Sequence, residues 1–112
     1  MTVNEIDGTL AILADPTRRR VVELLGERSL RASEIAERIG VSRPTMSNQL
    51  KVLRSGGLVD VELSEEDGRA RRYRLRPERL AGLSAWLSER ERAWECQLEA
   101  FRSHVERGGS GS

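Results

Sequence analysis

Apolar residues recur every three or four positions over most of the chain and switch to strict alternation in one stretch. Ile6, Leu10 and Leu13 are spaced by four and three, which predicts a short amphipathic helix. Asp15-Pro16 marks a new start, because aspartate caps a helix and proline suits its first position. Val21, Leu24 and Leu25 give this second helix its apolar face, and Gly26 can end it. Arg18, Arg19 and Arg20 stand near its positive end, where the helix dipole disfavours cations; they read first as solvated side chains, and their placement also hints at an external anion. A third helix covers roughly 32–39, with Ile35, Ala36 and Ile39 inward and Gly40 as terminator. Glu34 falls at the acidic position of a capping box, but Arg31 occupies the cap, which leaves the box incomplete. Ser42 opens a fourth helix with Pro44 in its first turn, closed by Gly56-Gly57.

From Leu58 the period becomes two. Val59, Val61 and Leu63 alternate with Asp60 and Glu62, SEEDG at 64–68 makes a turn, and Arg71, Tyr73 and Leu75 return alternating with Arg72, Arg74 and Arg76. Pro77 ends this hairpin, and a long helix follows from about Glu78 to Glu106.

The span SEIAERIGVSRPTMSNQLKVLRSGGLV, residues 33–59, carries the most information. Two helices joined through Gly40-Val41-Ser42 have the short turn of a helix-turn-helix. Met46, Leu50 and Leu53 hold the second helix against Ile35 and Ile39. Its other face is left to Pro44, Thr45, Ser47, Asn48, Lys51 and Ser55. Small polar side chains let a helix backbone approach base edges in a major groove. Asn48 or Gln49 can offer adenine a paired donor and acceptor, while Lys51 and Arg54 suit phosphates. The expected architecture is mainly α with a β-hairpin wing: a winged helix-turn-helix of five helices and a two-stranded antiparallel sheet. One domain covers 1–107, and GGSGS at 108–112 reads as a flexible tail or an appended remnant.

Composition sharpens this reading. The 112 residues carry a net charge of only +1, with 38% hydrophobic and 33% charged side chains, a thin core that often completes itself by association. The charge is segregated. Residues 42–55 hold Arg43, Lys51 and Arg54 without an acid; residues 60–67 hold five acids and no base; residues 69–79 hold six arginines against Glu78. Such segregation points to a polyanion-binding face. Arg69, Arg71, Arg72 and Arg74 are the wing candidates, with the acidic tip (Glu65, Glu66, Asp67) held off the duplex. Leu80, Leu83, Leu87, Trp94, Leu98, Phe101 and Val105 form a heptad seam on the last helix. It predicts a homodimer built on Leu83, Leu87, Trp94, Leu98, Phe101 and Val105, with Ile6, Leu10 and Leu13 of the first helix alongside.

No nucleophile-base pair with an orienting group, phosphate loop or helical carboxylate pair is present, so an enzyme is not expected, and no cofactor is called for. No segment reaches membrane-spanning length or resembles a secretion signal, which reads as cytoplasmic. The competing class is a winged-helix protein-interaction module without specific DNA binding; the uncompensated cations of 42–55 argue against it.

The segments ADPTRRRVVELL (14–25), VSRPTMSNQLKVLRSGGLV (41–59) and GRARRYRLRP (68–77) resemble the corresponding parts of ArsR/SmtB-type repressors. That resemblance implies a winged helix fold, homodimerisation through the first and last helices, and operator binding relieved by an inducer, whose identity the sequence leaves open. By position it places Arg43, Thr45, Ser47, Asn48 and Gln49 against double-stranded DNA. The sensing chemistry departs from the family. Metal-responsive members use thiolates around the third helix or carboxylate and histidine ligands on the last. Here the third helix has no cysteine, and His104 with Glu99 or Glu106 has the wrong spacing, so no metal site is expected. Cys96, the single cysteine, lies two residues from both Trp94 and Leu98, which makes it the redox candidate through an intersubunit disulfide.

Overall fold

A computed structural model describes the backbone of residues 3–63 and 71–111, and side chains over 4–63 and 71–106. The elements are α1 (Val3–Leu13), α2 (Pro16–Glu27), α3 (Ala32–Ile39), α4 (Arg43–Ser55), β1 (Val59–Leu63), β2 (Arg71–Leu75) and α5 (Glu78–Gly111). Among the described residues there are five helices and one two-stranded antiparallel sheet, as the pattern predicts. The expected turn at 64–68, with Glu65, Glu66 and Asp67, and the wing candidate Arg69 lie outside the described residues.

Local chemistry sets the helix starts. The Asp15 carboxylate accepts from the backbone N–H of Thr17 (2.8 Å) and Arg18 (3.2 Å), with Pro16 at the first helical position. Ser42 Oγ accepts from Thr45 N–H at 3.2 Å and donates to Thr45 Oγ1 at 2.8 Å. At α3, Glu34 Oε1 accepts from Arg31 N–H at 3.2 Å; a guanidinium has no acceptor to return the bond, so only this half of the box is made. Gly40 ends α3 at φ 85°, ψ 35°, and its N–H donates to Ala36 O at 2.8 Å. At the end of α4 it is Gly57, at φ 76°, that takes the left-handed turn, while Gly56 keeps φ −81°.

Contacts divide the chain into residues 1–82 and residues 83–112. In the first unit a core of Val21, Leu25, Leu30, Ile35, Ala36, Met46, Leu50, Leu53, Leu58 and Val59 is closed to solvent. Burying an aliphatic side chain stabilises by roughly 1.5–3 kcal/mol, so Met46, Leu50 and Leu53 together fix the roll of α4. The strands pair in the register Val59↔Leu75, Val61↔Tyr73 and Leu63↔Arg71. Burial falls along β1 from Val59 to the exposed Leu63, so the hairpin leaves the core as it extends. Its return strand has a second partner: Tyr73 N–H donates to Leu30 O at 2.7 Å, and Leu30 N–H to Tyr73 O at 3.1 Å. This bridge ties the root of the wing to the segment between α2 and α3.

The second unit is α5 throughout its described part, and most of its side chains are exposed. The helix runs on to Gly111, beyond the end near Glu106 that the apolar spacing predicts and into the 108–112 stretch read as a tail. Among the described residues no helix is long and apolar enough to cross a membrane.

Candidate nucleic-acid interface

Helix α4 presents two faces of opposite chemistry. Met46, Leu50 and Leu53 are buried, while Arg43, Pro44, Thr45, Ser47, Asn48, Lys51 and Arg54 are all exposed. The Thr45 hydroxyl accepts from Ser42 and keeps its own proton to donate outward. Ser47 and Asn48 follow on the same solvent side, where hydroxyl and amide groups can meet base edges.

Where α4 meets the hairpin, Ser47, Leu50, Lys51, Arg54, Arg71 and Tyr73 line a cavity of about 200 Å³. Among the described residues three cations and no acid border it, with the Ser47 and Tyr73 hydroxyls beside them. Arg43, Lys51, Arg54 and Arg71 have no carboxylate partner among the described residues. Unpaired cations next to hydroxyl donors are suited to a nucleic-acid phosphate, which would replace their counterions. Tyr73 escaped the sequence reading, although its parity with Arg71 along the strand places both on one face.

The wing arginines divide by that same parity. Arg71 lies on the cavity side with Tyr73, whereas Arg72 and Arg74 stand opposite Glu62 and Asp60. Arg74 pairs with Asp60 at 3.4 Å and Glu62 at 3.8 Å, so its charge is answered within the sheet. The Asp60 carboxyl is held below the usual carboxylate range, first by the N–H of Val61 at 2.9 Å and then by Arg74. Part of the acidic run thus neutralises part of the basic one.

Two further expectations change. Gln49, read as a base contact, is half-buried; its Oε1 accepts from Arg18 Nε at 2.9 Å and its Nε2 donates to Asp15 Oδ2 at 3.4 Å. Three residues after the buried Met46, it turns toward α2, and both ends of its amide are engaged there. The three arginines of α2, read as solvated or as hinting at an anion, instead meet carbonyls within the chain. Arg18 Nη1 donates to Ile12 O at 3.2 Å, Arg19 Nη1 to Leu13 O at 2.7 Å and Ala14 O at 3.1 Å, and Arg20 Nη1 to Ile39 O at 3.5 Å. Each caps the carbonyl end of α1 or α3, where cations are favoured. Asp15 is held below the usual carboxylate range, chiefly by the backbone N–H of Arg18, with help from Gln49 and Thr17 against partial desolvation.

The dimer candidates also separate. Ile6 and Leu83 are 5% and 8% exposed within the single chain and have little surface left for a partner, and Leu13 is half-buried. Leu10, Leu87, Trp94, Leu98, Phe101 and Val105 stay exposed, the last four at 50–66%. Cys96 is exposed too. At 3.6 residues per turn it sits about 200° around α5 from Trp94. It therefore faces away from the seam, which removes the geometric basis for a disulfide across it. Among the described residues no three of His, Cys, Asp and Glu gather as metal ligands.

Residues 13–62 match the family described as a helix-turn-helix domain. The HTH-type transcriptional regulator Rv2034 of Mycobacterium tuberculosis is 34% identical over 108 residues, covering 96% of this chain and 95% of that protein. An ArsR-like transcriptional regulator from Rhodococcus sp. RHA1 superposes with a TM-score of 0.75 at 30% identity, over 89% of this chain and 92% of that one. This chain belongs to the ArsR family of DNA-binding transcriptional regulators. Within that family it is also similar to the transcriptional repressor BigR from Xylella fastidiosa, with a TM-score of 0.63 at 30% identity over 76% of this chain and 82% of BigR. Membership makes α3 and α4 the helix-turn-helix and β1–β2 the wing.

Proposed function

We propose that this ArsR-family protein is a cytoplasmic repressor that binds an inverted-repeat operator as a homodimer. The observation that carries the reading is the polar, exposed face of α4, continuous with Lys51, Arg54 and Arg71, which have no carboxylate partner among the described residues. Thr45, Ser47 and Asn48 read base edges in the major groove, and Arg43, Lys51, Arg54 and Arg71 hold the flanking backbone. The apolar stripe of Leu87, Trp94, Leu98, Phe101 and Val105 supports pairing, since a patch of large exposed side chains at heptad spacing suits a second copy of α5. Two recognition helices related by a two-fold axis would enter grooves about one turn, ~34 Å, apart.

The test is selection of duplexes from a random-sequence pool by the wild-type protein. An enriched inverted repeat with half-sites about 10 base pairs apart, centre to centre, is the expected result. Sedimentation of Trp94→Glu/Phe101→Glu should show monomers that bind the selected duplex weakly. Failure to enrich any sequence, at low salt as well as at physiological salt, would favour a protein-interaction role instead.

A further inference from the structure

The contacts of Gln49 form a closed circuit of donors and acceptors. Asp15 Oδ1 caps α2 by accepting from Thr17 and Arg18 N–H, while Oδ2 accepts from Gln49 Nε2. Gln49 Oε1 accepts from Arg18 Nε, and Arg18 Nη1 reaches Ile12 O near the end of α1. Arg18 Nη2 returns to Asp15 Oδ2 at 3.7 Å, closing the loop. A carboxylate only accepts and a guanidinium only donates, so the amide of Gln49 has one orientation that satisfies both neighbours. Arg18 of α2 thus links three elements, reaching Gln49 on the flank of α4 and Ile12 O at the end of α1. The buried face of Met46, Leu50 and Leu53 fixes the roll of that helix, and the circuit pins the same turn laterally to α2.

We infer that Asp15, Arg18 and Gln49 form a clamp that positions α4 for the operator, and that Gln49 acts on DNA recognition through this clamp and not by touching a base. The inference rests on the DNA-binding reading proposed above. Gln49 is a positioning residue, and its effect on affinity comes from where Ser47 and Asn48 are held.

The circuit has a distinctive way of failing. Gln49→Glu alone keeps the Arg18 contact but sets a second carboxylate oxygen against Asp15 Oδ2. Asp15→Asn alone keeps the cap through its oxygen but sets its NH2 against the Gln49 NH2; flipping the amide at 49 only moves the mismatch to Arg18. The pair Asp15→Asn/Gln49→Glu restores both contacts of residue 49 to donor-acceptor pairs with the net charge unchanged, and gives up only the longer 3.7 Å approach of Arg18 Nη2 to residue 15.

The experiment measures anisotropy of the four proteins on the duplex selected by wild type, follows their thermal unfolding, and repeats the selection with the double variant. Each single variant should weaken specific binding about tenfold, the scale of coupling between residues in one hydrogen-bond network. The double variant should return to within about threefold of wild type, unfold near the wild-type temperature and select the same sequence. A carboxylate at a position touching bases would lose the amide's base contact, or choose a base that donates to it, whatever stood at residue 15. If the double variant binds as weakly as the two losses multiplied, or selects a different base, the clamp is overturned while the DNA-binding reading stands. If wild type itself selects nothing, that reading fails and the inference falls with it.

Discussion

Gly40 is the hinge on which the helix-turn-helix is built, and replacing it with alanine isolates one physical effect. The residue sits at φ 85°, ψ 35°, and a Cβ placed there meets nothing within 4 Å. No clash contributes, so the penalty is that of an L-residue in the left-handed region, roughly 1–2 kcal/mol. Alanine also narrows the unfolded ensemble, which offsets about 0.4–1 kcal/mol of that. A net loss of about 1 kcal/mol follows, equivalent to roughly 4 °C in Tm for a domain of this size. Circular dichroism during heating, together with a urea titration, reads it directly; the midpoint should fall with the denaturant slope unchanged. Gly40→Asn should lie between wild type and alanine, because asparagine tolerates this conformation better. A Gly40→Ala protein that melts with wild type would refute the left-handed turn. A loss above ~3 kcal/mol would refute the open space around it, since only overpacking adds on that scale.

Gly56 should behave in the opposite way. Its φ is ordinary, but an added Cβ collides with Ile12 Cδ1. That atom is the far end of a half-buried, flexible side chain that can turn aside, so Gly56→Ala should cost no more than about 1 kcal/mol, the low end of overpacking, and Ile12→Val, which removes the colliding atom, should recover most of it in a thermal melt. Asp15, with its folded pKa lowered, contributes stability that is complete above the ordinary carboxylate range and is lost as pH falls through the folded value. A plot of Tm against pH should therefore have a shallower acid limb in Asp15→Asn than in wild type; parallel limbs would contradict the shift. Lys51→Ala and Arg54→Ala should each lower the slope of log affinity against log salt by about 1, whereas Arg74→Ala, already paired with Asp60 and Glu62, should leave the slope nearly unchanged.

What could be read in the chain was what local spacing encodes. The Asp15-Pro16 and Ser42–Pro44 starts, the Gly40 stop and the alternation from Val59 to Leu75 gave all five helices and both strands. These are short-range preferences that the tertiary structure did not override. The exposed face of α4 followed from the same arithmetic, because burying Met46, Leu50 and Leu53 forces Ser47 and Asn48 outward. What escaped notice was contact between distant segments. The Leu30–Tyr73 bridge involves a lone leucine among polar neighbours, too short to signal a strand. Arg18, Arg19 and Arg20 stood in an unfavourable place relative to their own helix dipole; only the fold brings the carbonyl ends of α1 and α3 to them. Gln49 lies on the boundary of the helical wheel, where face alone does not reveal a partner from another helix. The pairing of Arg74 with Asp60 was one step away, since a hairpin register would have predicted it. On α5, Cys96 was judged by sequence distance from Trp94, where angle around the helix was the relevant measure.

The central claim is that the polar face of α4 reads DNA, and one comparison tests it most directly. Fluorescence anisotropy on the duplex selected by the wild-type protein should show Ser47→Ala/Asn48→Ala losing sequence-specific binding. Both residues are exposed, so light scattering should find the variant in the same oligomeric state as wild type, and it should keep wild-type stability. A variant that still prefers the selected duplex over an unrelated one, with wild-type affinity, would contradict the assignment of α4 as the recognition helix.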